Sequence, residues 1–137
     1  MAFSLRKTFP DQAPSKRPQK RSNYLSWLHT LPCCVTGRND VQAAHLSDAS
    51  PWHGHYGRAK GTKAPDRFAL PLCAAEHAHQ HGMNERTYWA SVGINPHELA
   101  LTLFGIFSDY DEHEAAQRAT ARIMAGLATA GRLPTRD

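Results

Sequence analysis

Two histidines one helical turn apart are the residues in this sequence whose types and spacing most directly indicate chemistry. His77 and His81 lie in A-A-E-H-A-H-Q-H, a stretch of helical character, so their spacing places both imidazoles on one helix face. Two imidazoles in this arrangement can bind one divalent cation. The alternative is an exposed helix rich in histidine, because His79 lies between them on another face. His45, in the short apolar run V-Q-A-A-H-L, could join this pair as a third histidine, and this favours the metal site.

Two predicted strands position these histidines. The first, residues 41–46, follows a predicted turn at residues 33–40, in which Gly37 is expected to take a positive φ. The turn and this strand indicate a small hairpin with His45 at its end. The second strand, residues 66–72, leads directly into the histidine helix and could pair with the first. Its apolar side chains Phe68, Leu70 and Leu72 are expected to lie on one face of the strand, and the residues between them on the other.

Four further helices are predicted, at residues 24–31, 84–92, 95–107 and from about 111 to 130. Asn23 and Asn95 are expected N-caps, and Asp109 or Asp111 is expected to cap the last helix. The fold class predicted is α+β: a small β-hairpin and helix, wrapped by additional helices, with a mostly helical C-terminal part. The last helix has an apolar stripe rich in alanine, which can pack in its own core or against a second copy as an oligomer contact.

Basic residues are concentrated at the N-terminal end. Residues 1–22 hold six basic residues and one acidic residue, a net charge of +5. The rest of the chain holds ten basic and eleven acidic residues, a net charge of −1. Three prolines and little apolar periodicity predict that this arm is disordered when free. A basic arm attracts phosphate backbones; the alternative is a solubilising tail. The expected organisation is an arm at 1–22, a domain at 23–107, and a C-terminal helix with a frayed tail at 108–137.

A long segment without helical or strand periodicity, residues 47–63, combines aromatic and basic residues. Bases stack on aromatic rings and phosphates pair with cations, so this segment is predicted to face nucleic acid. The alternative is an ordinary surface loop. The predicted nucleic-acid-binding residues are Trp52, Tyr56, Arg58, Lys60 and Lys63.

The composition limits the class of protein. No apolar run approaches the roughly 20 residues that span a membrane, and Met1 to Phe9 lacks the apolar stretch of a signal peptide. We therefore expect a cytoplasmic protein without a membrane partner. Three cysteines, at 33, 34 and 73, are too few for a disulfide framework. Reduced thiols or metal ligands are the expected states.

Assembled in order, these pieces resemble the HNH (ββα-metal) endonucleases, and most closely the small phage and prophage branch of that family. The likeness covers about residues 24–96. The pieces that carry it are Tyr24-Leu25-Ser26-Trp27, Leu31-Pro32-Cys33-Cys34-Val35-Thr36-Gly37, Ala43-Ala44-His45-Leu46, Lys63-Ala64-Pro65-Asp66, Pro71-Leu72-Cys73, His77, His81, Tyr88-Trp89 and Gly93-Ile94-Asn95-Pro96. The order and spacing of the pieces are more specific than any one of them.

The resemblance implies a ββα-metal core that hydrolyses DNA phosphodiester bonds with little sequence specificity. By position, His45 is the general base, and His77 and His81 are ligands of a divalent ion, Mg2+, Mn2+ or Ni2+. Asp66 stands where a polar residue orients His45 or joins the metal. An imidazole suits the role of base because it accepts a proton near neutral pH.

The chain departs from the family pattern at several positions. Ala44 stands where the family often has a metal ligand, and Phe68 stands at the usual place of a central asparagine. Relatives often carry a structural zinc in two C-x-x-C knuckles, whose second positions are here Thr36 and Glu76. These departures leave a second hypothesis open, a degenerate HNH-fold module that binds nucleic acid without catalysis. Structural zinc is expected to be absent or weakly held, and the residues of its vestigial site are Cys33, Cys34 and Cys73.

Deletion of residues 1–22 tests the predicted arm. We expect the deletion to weaken DNA binding and to flatten its dependence on salt concentration, because fewer counterions are released on binding. The melting temperature should be unchanged, since a disordered arm buries nothing. Affinity measured across a salt series checks the first expectation, and a fall of many degrees in melting temperature would contradict the second.

Overall fold

The computed structural model describes residues 23–57 and 64–132 of the chain. The predicted arm, the basic residues Arg58, Lys60 and Lys63, and the tail from residue 133 lie outside the described residues. Within those ranges the fold is α+β and mostly helical, with one two-stranded antiparallel sheet and five α-helices. No helix in these ranges is both long enough and apolar enough to cross a membrane.

The elements follow the chain in a simple order. The strands and helices are α1 (Tyr24–Leu28), β1 (Val41–His45), β2 (Ala69–Cys73), α2 (Ala74–His81), α3 (Glu85–Val92), α4 (Pro96–Asp109) and α5 (Glu112–Thr129), with short 3-10 turns at Pro51–His53 and Asp66–Phe68. Four of the five helices begin at an asparagine or aspartate whose side chain accepts a backbone N–H of the first turn, and these caps are Asn23, Asn84, Asn95 and Asp111.

The sheet pairs β1 with β2, and its register places His45 opposite Ala69 and Val41 opposite Cys73. Pro71 is tolerated inside β2 because the register turns its nitrogen away from β1, toward the outer edge of the strand. On that edge the carbonyl of Pro71 accepts the N–H of Cys34 at 3.0 Å. The segment after α1 therefore covers the free edge of the sheet.

Three local expectations are wrong. The second strand begins at Ala69, because residues 66–68 form a 3-10 turn. Its side chains do not divide into an inner and an outer face, because helices α1, α2 and α4 all contact this strand and every one of its residues is buried. Residues 33–40 form a turn without a strand of their own, so β1 pairs with the distant β2 and not within a local hairpin.

The other predicted elements are confirmed with small changes of length. Helix α1 is shorter than expected because the N–H groups of Thr30 and Leu31 bond to carbonyls three residues back, which closes a tighter turn. The hydrophobic core contains residues of β1, β2 and every helix except α2. The buried residue of α2 is Gln80. In α5, the side chains buried in this core are Ala115, Ala119, Ile123 and Leu127. Contact of this helix with a second copy stays a prediction.

Leu70→Ala tests the dependence of the fold on β2. Leu70 is fully buried and lies opposite Ala44 in the sheet, so its truncation should lower the free energy of unfolding by about 2 to 5 kcal/mol. Urea denaturation followed by circular dichroism measures the change. Met83→Ala is the control, because Met83 is 42% exposed and its truncation should cost no more than about 0.5 kcal/mol. Equal effects of the two variants would contradict this view of the core.

Candidate metal centre

The strand pair and helix α2 bring the two predicted metal ligands together. Helix α2 starts immediately after β2, with Cys73 as its N-cap residue, and His77 and His81 lie one turn apart along it. Their Nε2 atoms are 3.1 Å apart, and the two rings are tilted by 36° with centroids 4.7 Å apart. The helix thus brings both nitrogens within hydrogen-bond distance on one face, as the sequence spacing predicts, and one of the two carries the proton that they share.

Gln42, in the middle of β1, fixes the orientation of His77. Its Oε1 lies 2.7 Å from Nδ1 of His77. Because an amide oxygen only accepts hydrogen bonds, Nδ1 of His77 carries the proton and Nε2 carries the lone pair. This residue was missed at the sequence level. The only signal was a polar residue within an apolar run, and its meaning depends on strand β1 lying beside helix α2.

His45 and Asp66 form a second contact at the far end of the strand pair. Nε2 of His45 lies 2.8 Å from Oδ1 of Asp66, with the two side chains 21% and 59% exposed. A carboxylate only accepts, so Nε2 carries the proton and Nδ1 of His45 carries the lone pair. Of the two roles expected for Asp66, the structure shows the contact that orients His45.

The electrostatics of the site favour a neutral His77. Burial lowers its pKa below the ordinary value, and the neighbouring His81 and His45 imidazoles lower it further. A neutral ring with a fixed tautomer is the form of histidine that binds metal ions.

The donor set fits a divalent ion. Two nitrogens bound to one ion at about 2.1 Å are about 3.0 Å apart at a right angle and about 3.4 Å apart at a tetrahedral angle. The 3.1 Å between the Nε2 atoms of His77 and His81 lies in this interval. Within residues 23–57 and 64–132, no group of three or more histidine, cysteine or acidic side chains converges on one point, so the site described consists of two imidazoles.

The positions of the two degenerate zinc knuckles also meet in the structure. The hydroxyl of Thr36 donates to Sγ of Cys73 at 3.8 Å, and the three free cysteines, Cys33, Cys34 and Cys73, are buried. Burial raises the pKa of Cys73, but hydrogen bonds from the backbone of Glu76 and from Thr36 and Cys33 outweigh it and leave that pKa lowered.

Two neighbours of Cys73 make this cluster a poor zinc site. Burial raises the pKa of Cys34, and nearby Cys33 raises it further, so Cys34 stays a neutral thiol. The carboxylate of Glu76 accepts the hydroxyl of Tyr88 at 2.8 Å. Hydrogen bonds and apolar packing therefore surround the three cysteines.

The described part of the predicted nucleic-acid-binding loop presents its aromatic side chains to solvent. Trp52 is 92% exposed and Tyr56 is 79% exposed. By contrast, Ala44 and Phe68 are buried in the core. These are two of the residues that depart from the HNH pattern. Neither position can therefore contribute a side chain to the histidine site.

A family model described as a protein of unknown function, DUF968, matches residues 10–104, and the chain belongs to this family. Among curated proteins, the uncharacterized protein YdfU of Escherichia coli strain K12 is 35% identical over 68 residues. That alignment covers 50% of this chain and 18% of the relative, so the chain matches less than a fifth of its length. No solved structure matches the chain.

Gln42→Leu tests the orienting contact. Loss of the acceptor should lower the affinity for Mn2+ or Ni2+ by roughly 10- to 100-fold, because Nδ1 of His77 loses its fixed proton. The measurement is the metal-dependent rise in melting temperature across a titration. Gln42→Glu keeps an acceptor at the same position and should retain most of the affinity. Equal metal affinity in the leucine variant and the wild type would contradict the assignment.

Proposed function

We propose that this chain is a metal-dependent endonuclease of the HNH (ββα-metal) type that hydrolyses phosphodiester bonds in DNA with little sequence specificity. The observation that carries the proposal is the 3.1 Å separation of the His77 and His81 Nε2 atoms, with Nδ1 of His77 held by Gln42 on the paired strand. The order strand, strand, helix around this pair supports a ββα-metal core. The family itself assigns no activity, so the site is the basis of the proposal.

In this proposal, His45 is the general base. Asp66 holds the proton on Nε2 of His45, so Nδ1 is the atom that accepts a proton from the attacking water. The imidazolium that forms is stabilised by the same carboxylate. His77 and His81 would hold the cation.

A bound Mg2+, Mn2+ or Ni2+ ion supplies positive charge that stabilises the charge developing on the phosphate and on the leaving oxygen. The protein's own contribution is to keep Nε2 of His77 unprotonated and aligned. Burial of His77 and its bond to Gln42 serve this purpose.

A second candidate function is a degenerate HNH-fold module that binds nucleic acid without catalysis. It is favoured by the burial of Ala44, which is 1% exposed. Ala44 stands at the position where HNH endonucleases often have a further metal ligand. A catalytic domain should show a metal-dependent rise in melting temperature that the His77→Ala, His81→Ala double variant abolishes. A module that only binds should show no such rise while retaining its affinity for DNA.

Nicking of supercoiled plasmid tests the catalytic proposal. Purified protein should convert plasmid to the open circle with at least one of Mg2+, Mn2+ and Ni2+, and a chelator should stop the reaction. His45→Ala should lower the rate by roughly 100-fold or more, as expected for loss of a general base. His77→Ala should also abolish nicking, because the ion loses one of its two imidazoles.

The matched control is His79→Ala. His79 lies on the same helix as the ligands but its side chain is 76% exposed, so this variant should nick plasmid at the wild-type rate. No nicking with any of the three ions, or undiminished nicking by His45→Ala, would refute the proposed activity.

A further inference from the structure

The two most exposed large hydrophobic side chains in the described residues belong to one loop. Trp52 is 92% exposed, whereas the other two tryptophans, Trp27 and Trp89, are only 1% and 2% exposed. Tyr56, 79% exposed, follows four residues after Trp52. An indole left in water forgoes a large burial gain that a binding partner can supply.

The exposure of these rings does not come from a loose chain. Ser50 and His55 exchange two backbone hydrogen bonds of 2.7 and 3.1 Å across the turn that carries Trp52, and Gly54 closes that turn with φ of 84°. The His55 ring is fully buried: Nε2 donates to the carbonyl of Leu46 at 2.8 Å, and Nδ1 accepts the N–H of Gly57 at 2.9 Å. The residues before and after Tyr56 are therefore held by hydrogen bonds.

Helices α3 and α4 anchor the start of the same loop. The carboxylate of Glu85 accepts the backbone N–H groups of Ser47 and Asp48 at 3.0 to 3.1 Å. Nε2 of His97 donates to the carbonyl of Asp48 at 2.7 Å, and Arg86 pairs with its carboxylate at 3.0 Å. A loop held at this many points pays little ordering entropy when a ligand binds.

A positive charge lies beside the loop and links it to the histidine site. The guanidinium of Arg67 donates to the carbonyl of Gly54 at 3.3 Å and lies over the Phe68 ring, 5.1 Å from its centroid. The preceding residue, Asp66, contacts His45. Arg67 therefore connects the turn that carries Trp52 with the proposed general base.

We propose that Trp52 and Tyr56 form a stacking surface for unpaired nucleobases, so that the proposed nuclease acts on single-stranded DNA in preference to duplex. The inference about the substrate rests on the proposed function, whereas the stacking surface does not. Exposed rings beside an arginine match the two needs of a single strand, base faces and phosphates. In a duplex the base faces are already stacked on each other, and reading of base edges requires a helix or strand in a groove.

Tryptophan fluorescence tests the surface directly, because Trp52 is the one exposed tryptophan of the three. The full chain is titrated, in chelator, with a single-stranded oligodeoxynucleotide of mixed sequence and with the duplex formed from it and its complement. We expect the single strand to quench the fluorescence and to bind more tightly than the duplex. Trp52→Ala should lose roughly 5- to 150-fold in affinity for the single strand.

Three matched variants separate stacking from other contacts. Trp52→Phe keeps an aromatic face and should retain most of the affinity, whereas Trp52→Leu, apolar but not aromatic, should not. Met83→Ala removes an exposed apolar side chain elsewhere, on the turn between α2 and α3, and should bind as the wild type does. Circular dichroism confirms that each variant is folded.

Several outcomes would overturn the proposal: no binding of the single strand by the wild type, equal affinity for single strand and duplex, or full affinity in Trp52→Leu. A change of self-association in Trp52→Ala, seen by light scattering, with unchanged DNA affinity would assign the surface to protein contact instead. Because the titration contains no metal ion, it is independent of catalysis. Loss of nicking with intact single-strand binding would refute the nuclease and leave the stacking surface standing.

Discussion

The antiparallel pairing of β1 with β2 is the interaction on which the rest of the structure depends. The pairing joins segments that are far apart in the chain, and a two-stranded sheet alone is only marginally stable. It persists here because every residue of β2 is buried between helices and the covering segment at Cys34. Its register also places Gln42 beside His77. A slip of one residue would turn Gln42 to the other face and remove the contact.

Hydrogen bonds and apolar packing support the sheet at the buried cysteines. Thr36, Cys73 and the backbone of Glu76 are joined through hydrogen bonds. The three cysteines lie in the hydrophobic core as free thiols. Helix α1, with the buried Trp27 and Leu28, packs into the same core.

The polar groups of the molecule have two separate tasks. At the histidine site, Gln42 and Asp66 each hold one proton on an imidazole, which leaves a lone pair of known position on His77 and on His45. In the loop after β1, Glu85 and His97 instead hold backbone groups. Their hydrogen bonds keep the chain in place below the exposed ring of Trp52.

The sequence by itself determined the features that depend on local order. The caps at Asn23 and Asn95, the positive φ of Gly37 and the common face of His77 and His81 all follow from residues a few positions apart. Only the tertiary structure decided the pairing of β1 with β2, the burial of both faces of β2, and the contacts of Gln42 and Asp66. These depend on segments distant in sequence. Their packing energies outweigh local alternation, which is why the period of two in β2 failed as a guide to its surroundings.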